Sequence, residues 1–221
     1  MSHYYINDNK LDHKVKSYEV VINNISLTMF TDLGVFSKDY LDFGTRVLLE
    51  SIQLNDTQKT VIDMGCGYGP IGIYIGKAYP DKHVYLFDVN ERAVEMALKN
   101  QKVNAVNNIQ INVSNLFDQV NVKADVIVTN PPIRAGKQTV FKLYEDAYSN
   151  LNDGGVLYVV IQKKQGAPSS VNHLTSIFGE CEVIEKKKGY WILFAQKWKL
   201  SLTIYKVCDN IVKCIIIVSF Y

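Results

Sequence analysis

"VIDMGCGYGP", residues 61–70, runs from a β-rich apolar stretch into a turn with glycine at every second position: Gly65, Gly67 and Gly69. Glycines so spaced let the backbone turn tightly and approach a ligand closely, which side chains would prevent. The stretch therefore reads as a buried strand, a ligand-facing turn and a helix start. Around it, strand-like and helix-like runs alternate. The strands are "TVIDM" (60–64), "HVYLFD" (83–88), "NIQINV" (108–113), "ADVIVT" (124–129), "GVLYVVI" (155–161), "CEVIEK" (181–186) and "YWILFAQ" (190–196), with helices near 70–79, 91–103, 138–151 and 169–178. Such alternation predicts an α/β fold with a mostly parallel sheet. Only "KKG" joins the last two strands, too short for a parallel crossover, so the final strand must be antiparallel. Asn90 is the expected N-cap of the second of these helices, with Glu91 in its first turn.

Upstream, "SYEVVI" and "ISLTMFT" flank Asn23-Asn24, the signature of a β-hairpin, and residues 1–16 read as a loosely ordered polar lead. "LDFGTRVLLESIQL" (41–54) has apolar residues at helical spacing. Three segments follow: an N-terminal hairpin and helix (1–58), the α/β domain (59–198) and a C-terminal extension (199–221).

A chain of 221 residues with 48% hydrophobic content can bury one full core. Its net charge of +2 selects no partner class by itself. Cys66, Cys181, Cys208 and Cys214 are far apart, without a C-x-x-C pair. That pattern suggests no metal site or disulfide scaffold and fits a reducing cytoplasm. No stretch approaches the ~20 uncharged apolar residues of a membrane span.

The glycine spacing is G-x-G-x-G, with Pro70 where a dinucleotide fingerprint would carry its third glycine. Nicotinamide binding is therefore the weaker reading. Asp88, 19 positions beyond Gly69, ends the next strand, where a carboxylate can accept hydrogen bonds from both hydroxyls of a ribose. Asp63 belongs to the same motif. Asn115, with Asp118 as second choice, is the candidate for an adenine amino group. The bland alternative is a compact turn with Asp88 as a helix cap.

"TNPPIRAG" (129–136) ends the fourth strand of the sheet with two prolines. Asn130 and Pro131 each precede a proline and are confined to extended conformations. The resulting bracket aims two acceptors, the Asn130 side-chain oxygen and the Pro131 carbonyl, into the crevice where open α/β sheets bind ligands. Two acceptors suit an NH₂ group. Holding both N–H bonds favours a pyramidal nitrogen with its lone pair free for an electrophile, so positioning supplies most of the rate. None of His3, His13, His83 or His173 falls in these loops, and no strong base is needed.

Together the glycine turn and Asn-Pro-Pro resemble class I methyltransferases, which use S-adenosylmethionine on a Rossmann-like seven-stranded sheet. A closer resemblance covers nearly residues 1–197. "GVFSKDYLDFGTRVLLE", "VIDMGCGYGPIG", "VTNPPIRAGK" and "VIQKKQGAPS" look like the single-domain relatives of the 16S ribosomal RNA guanine-N2 methyltransferases, the RsmC-like family. The resemblance implies that Phe36 and Ser37 lie near the methionine end of the cofactor and that Asn130, Pro131, Pro132 and Ile133 form the catalytic bracket. Many class I members carry Asp where Asn115 stands. Better-known members of this family also have a second, degenerate domain that is absent here. Adenine N6, a protein glutamine amide, or a silent RNA-binding role are the alternatives.

Loops leaving the fourth, fifth and sixth strands emerge at one sheet edge. They carry Arg134 and Lys137, then Lys163 and Lys164, then Lys186, Lys187 and Lys188, a footprint suited to the phosphates of ribosomal RNA. An ordinary solvated lysine face is the alternative. Ile133 is the candidate to press on the target base, and Tyr190 reads as core. The tail "KLSLTIYKVCDNIVKCIIIVSFY" (199–221) has no place in the resemblance. Its charges argue against a membrane span, and its "CIIIVSFY" end is an aggregation hazard if exposed. It reads as an extension of little role, with an added edge strand or dimer contact as the alternative. Oligomeric state is open.

Overall fold

The computed structural model describes residues 14–35, 37, 39–198, 201–204 and 216–219. The readings of residues 1–13 and Phe36, and most of those of the tail, lie outside the described residues.

Strands β1 (Lys16–Ile22) and β2 (Ile25–Thr31) form the expected antiparallel hairpin. Asn23 and Asn24 both have positive φ, 46° and 65°, which matches the twist of a two-residue turn to that of its strands. The expectation of a loose lead fails for residues 14–16, because the Lys14 N–H donates to Asp32 at 2.6 Å and β1 begins at Lys16. Helix α1 (Phe43–Ser51) follows.

The main sheet contains β3 (Thr60–Met64), β4 (His83–Asp88), β5 (Ile109–Val113), β6 (Ala124–Thr129), β7 (Leu151–Gln162), β8 (Glu182–Lys187) and β9 (Tyr190–Gln196). Their order is β5-β4-β3-β6-β7-β9-β8. Strand β9 runs antiparallel to the other six strands of this sheet, as the short "KKG" connection requires. Helices α2 (Pro70–Ala78), α3 (Glu91–Val103), α4 (Lys137–Asn150) and α5 (Ala167–Phe178) connect the strands. Asn90 caps α3 as expected, accepting from the Arg92 and Ala93 N–H groups. Strand β7 starts four residues before the predicted 155. Leu151 pairs with Ala124 ahead of a register shift, and Gly154 takes a φ of 78° within the irregularity.

Alternation along the strands divides the core. Val156, Tyr158 and Val160 of β7 join one cluster with α1, α2, α3 and the hairpin. Leu157, Val159 and Ile161 join the other with α4 and α5. This is the period-2 geometry of a strand buried on both faces.

The hairpin docks on α3 through two side-chain amides. Asn100 Oδ1 accepts from the Phe30 N–H at 2.6 Å and its Nδ2 donates to the Phe30 carbonyl at 2.8 Å. Asn104 repeats the pair with Thr28, at 3.0 and 2.7 Å. Four residues of helix rise about 6 Å, close to the roughly 7 Å between alternate strand residues, so the amides serve as a paired strand edge. Strands β10 (Ser201–Ile204) and β11 (Ile216–Ser219) pair with each other in a sheet of their own. Among the described residues, no helix is long and apolar enough to cross a membrane.

Candidate active site

A cavity of about 290 Å³ opens where the ends of β3, β4, β6 and β7 meet the loop before α1. Its floor is backbone. Gly65 and Gly67 have φ of 73° and 56°, and a Cβ at either would meet nothing within 4 Å. A side chain there would enter the space a ligand needs. Gly69 is different: it lies off the cavity wall, and its Cβ would sit 2.9 Å from Ile73 and 3.2 Å from Ala97.

Asp88 holds this floor. One carboxylate oxygen accepts from the Gly67 N–H at 2.7 Å and the other from the Asn90 N–H at 2.8 Å. Burial pushes its carboxyl up, while the Asn90 and Gly67 N–H groups act in the opposite sense. Asp88 lines the cavity and retains lone pairs for further donors. It also caps the turn, so the bland reading of Asp88 describes part of its work. Tyr68, buried in the same turn, shares a 2.7 Å hydrogen bond with Tyr18 of β1. Burial raises the Tyr18 hydroxyl to about 12.

Asp63 lies behind the floor and not on the cavity wall. Its Oδ2 accepts from the Gly72 N–H at 2.8 Å, and Oδ1 has no partner among the described residues. Burial, with the Asp88 charge as a lesser cause, pushes its carboxyl up to about 7. Ser37 lines the cavity and donates to the Tyr40 carbonyl. Asn115 does not line it; it is exposed and donates to Asp118 at 3.1 Å.

Asn130, Pro131, Pro132, Ile133 and Arg134 form one wall. Pro132 adopts φ −76° and ψ 76°, and the Ile133 N–H donates to the Pro131 carbonyl at 2.9 Å. This inverse γ-turn leaves that carbonyl one further lone pair. The Asn130 amide is oriented from α1. Its Nδ2 donates to Thr45 Oγ1 at 3.0 Å and to Asp42 Oδ2 at 3.3 Å. A carboxylate only accepts, so the amide nitrogen faces Asp42 and the amide oxygen is left to accept from a ligand. Asp42 is also the N-cap of α1, accepting from the Thr45 N–H at 2.9 Å.

Sequence reasoning missed Asp42 and Thr45. The D-x-x-T spacing before a helical run signals an N-cap, but nothing local ties that cap to Asn130. Tyr190, read as core, is partly buried against the α1-side cluster and also lines the cavity, donating to Asp42 Oδ1 at 3.3 Å. The predicted rim lysines are all exposed, and some of them have local partners. Lys187 pairs with Glu50 at 3.2 Å, Lys137 lies over the Phe141 ring and Lys186 over the Trp191 ring. Lys163 and Lys164 are exposed in the turn after β7, and the Lys163 N–H bonds to Gly189 at 2.8 Å, joining that turn to the β8–β9 turn.

Residues 26–194 match the methyltransferase small domain model. The chain belongs to this methyltransferase family. S-adenosylmethionine, expected from the resemblance to class I methyltransferases, is the family's cofactor, and the bare floor and Asp88 fit it. A Bacillus subtilis relative, "Uncharacterized protein YbxB", is 41% identical over 197 residues, covering 88% of this chain and 98% of its own. Ribosomal RNA small subunit methyltransferase C of Colwellia psychrerythraea is 34% identical, covering 82% of this chain, which spans 50% of that protein's length. Among solved structures, a T. thermophilus 16S rRNA N2 G1207 methyltransferase (RsmC), in complex with AdoMet and guanosine, aligns with a TM-score of 0.74 at 24% identity. The alignment covers 83% of this chain and 50% of that one, and shows the shared fold.

Proposed function

We propose that this protein methylates the exocyclic N2 amine of a guanine in small-subunit ribosomal RNA, using S-adenosylmethionine. The observation that carries the reading is the orientation of Asn130: with Nδ2 held by Thr45 and Asp42, Oδ1 is an acceptor beside the Pro131 carbonyl at the cavity wall. Two acceptors set side by side suit an NH₂ donor.

The cofactor supplies an electrophilic methyl group on a sulfonium. The chain's own residues do the positioning. Gly65 and Gly67 clear space for the cofactor, and Asp88 accepts from its ribose hydroxyls. Asn130 and Pro131 accept the two amine N–H bonds and leave the nitrogen lone pair for the methyl group. Ile133 covers the face of the base, which must leave any stack to enter. The methylated nitrogen is acidic and sheds its proton to water, so no histidine is required. Arg134, Lys137, Lys163, Lys164 and Lys187 supply cations for phosphates at the rim.

The 34% identity to a ribosomal RNA small subunit methyltransferase C supports RNA as the substrate. The test is nucleoside mass spectrometry of ribosomal RNA from cells with and without the protein. Loss of N2-methylguanosine is expected; loss of N6-methyladenosine with N2-methylguanosine intact would overturn the assignment.

A further inference from the structure

Gln162, the last residue of β7, and Tyr190, the first of β9, both line the cavity. They are direct partners across the antiparallel β7–β9 pair, so their side chains share one face within contact reach. Counting protons sets the polarity between them. Tyr190 has one hydroxyl proton and donates it to Asp42 Oδ1, which as a carboxylate oxygen cannot donate back. Its phenol oxygen can then only accept. Facing an oxygen with no proton to give, the Gln162 amide is favoured with Nε2 turned toward it, which leaves Gln162 Oε1 as the acceptor. Asp42 thus sets two of the amides that line the cavity, Asn130 directly and Gln162 through Tyr190, with their oxygens left for the ligand.

Resting on the proposed capture of a guanine amine, we propose that Gln162 is the specificity-determining residue, its Oε1 accepting the N1–H that guanine carries beside N2. Adenine offers its N6 amine beside a bare N1 lone pair, which would face Oε1 as acceptor against acceptor. Turning the Gln162 amide over would suit adenine but would set Oε1 against a phenol oxygen with no proton to give. Tyr190 and Asp42 are therefore positioning residues for base choice.

2-Aminopurine riboside separates these roles, because it keeps the position-2 amine and has a bare N1. Binding of guanosine and of 2-aminopurine riboside to the full chain, with S-adenosylhomocysteine present, is measured by saturation-transfer NMR. The wild type is expected to favour guanosine by about tenfold or more. Gln162→Ala and Tyr190→Phe are expected to bring the two nucleosides near parity with S-adenosylhomocysteine affinity unchanged; the second variant leaves Gln162 in place and removes only the hydroxyl that orients it. Wild-type parity, or a preference kept by both variants, would overturn the role of Gln162 while leaving the amine bracket standing. If neither nucleoside binds at millimolar concentration, the nucleobase reading of the cavity fails and this inference falls with it.

Discussion

Asn130 and Thr45 stand 85 residues apart in the chain and meet at 3.0 Å, amide nitrogen to hydroxyl. A helix cap thereby decides which way a strand-end amide points. Removing the amide should differ from loosening it. Asn130→Ala is expected to lower turnover by about 10²-fold or more, with cofactor affinity near wild type, because the amide is used for positioning. Thr45→Val removes one of two anchors and should cost about tenfold. Single-turnover rates with calorimetric cofactor affinities check both.

Asp88 binds two backbone N–H groups of its own protein and lines the cavity. Asp88→Ala should weaken S-adenosylmethionine by about 1–3 kcal/mol, the range for hydrogen bonds to a charged group. It should also lower the melting temperature without ligand, since Gly67 and Asn90 lose their acceptor. Calorimetry and thermal unfolding of the apo protein separate the two effects.

Asp63 predicts a pH dependence of stability. Burial raises its folded carboxyl to about 7, against about 3.9 in an unfolded chain. The folded state then keeps a proton that the unfolded chain has released, so the associated stability is complete below about pH 4 and is lost as pH rises through about 7. Asp63→Asn keeps an acceptor for the Gly72 N–H and removes the titration. Denaturant unfolding is expected to show the difference between variant and wild type moving in the variant's favour from pH 5 to pH 8.

The rim lysines should not behave alike. Lys163→Ala with Lys164→Ala is expected to weaken RNA binding and flatten its salt dependence by up to about two counterions. Lys187→Ala should change the slope less, because Lys187 already pairs with Glu50. Filter binding across a salt series measures both slopes.

What was legible in the sequence was what is local. The glycine turn, the Asn90 cap, the Asn23-Asn24 hairpin and the antiparallel last strand each follow from a few adjacent residues. The position of Asn-Pro-Pro at the cavity wall was readable for the same reason, and that of Asp88 because strand ends recur at predictable places in alternating folds. Asp42 was hidden because its partners, Asn130 and Tyr190, lie 88 and 148 residues away. The packing of Tyr190 against the core was legible because aromatic residues in strands usually pack inward, but its edge on the cavity was not, since its register opposite Gln162 comes only from sheet pairing. "LNDGG" hid the start of β7 because its turn residues sit in an irregular strand end.

The two amides that join α3 to β2 have a thermodynamic consequence. Asn100 also donates to the Tyr68 carbonyl at 2.9 Å, and Tyr68 is held by Tyr18 of β1, so the glycine turn and the hairpin share their anchors. Detaching the hairpin would strip the cavity floor of support, and a ligand that binds only the assembled floor must oppose that opening. Cofactor binding should therefore slow amide hydrogen exchange at Thr28 and Phe30, by a factor approaching 1 + [L]/Kd if detachment abolishes binding. Neither residue is on the cavity wall, which makes the hairpin a remote reporter of occupancy.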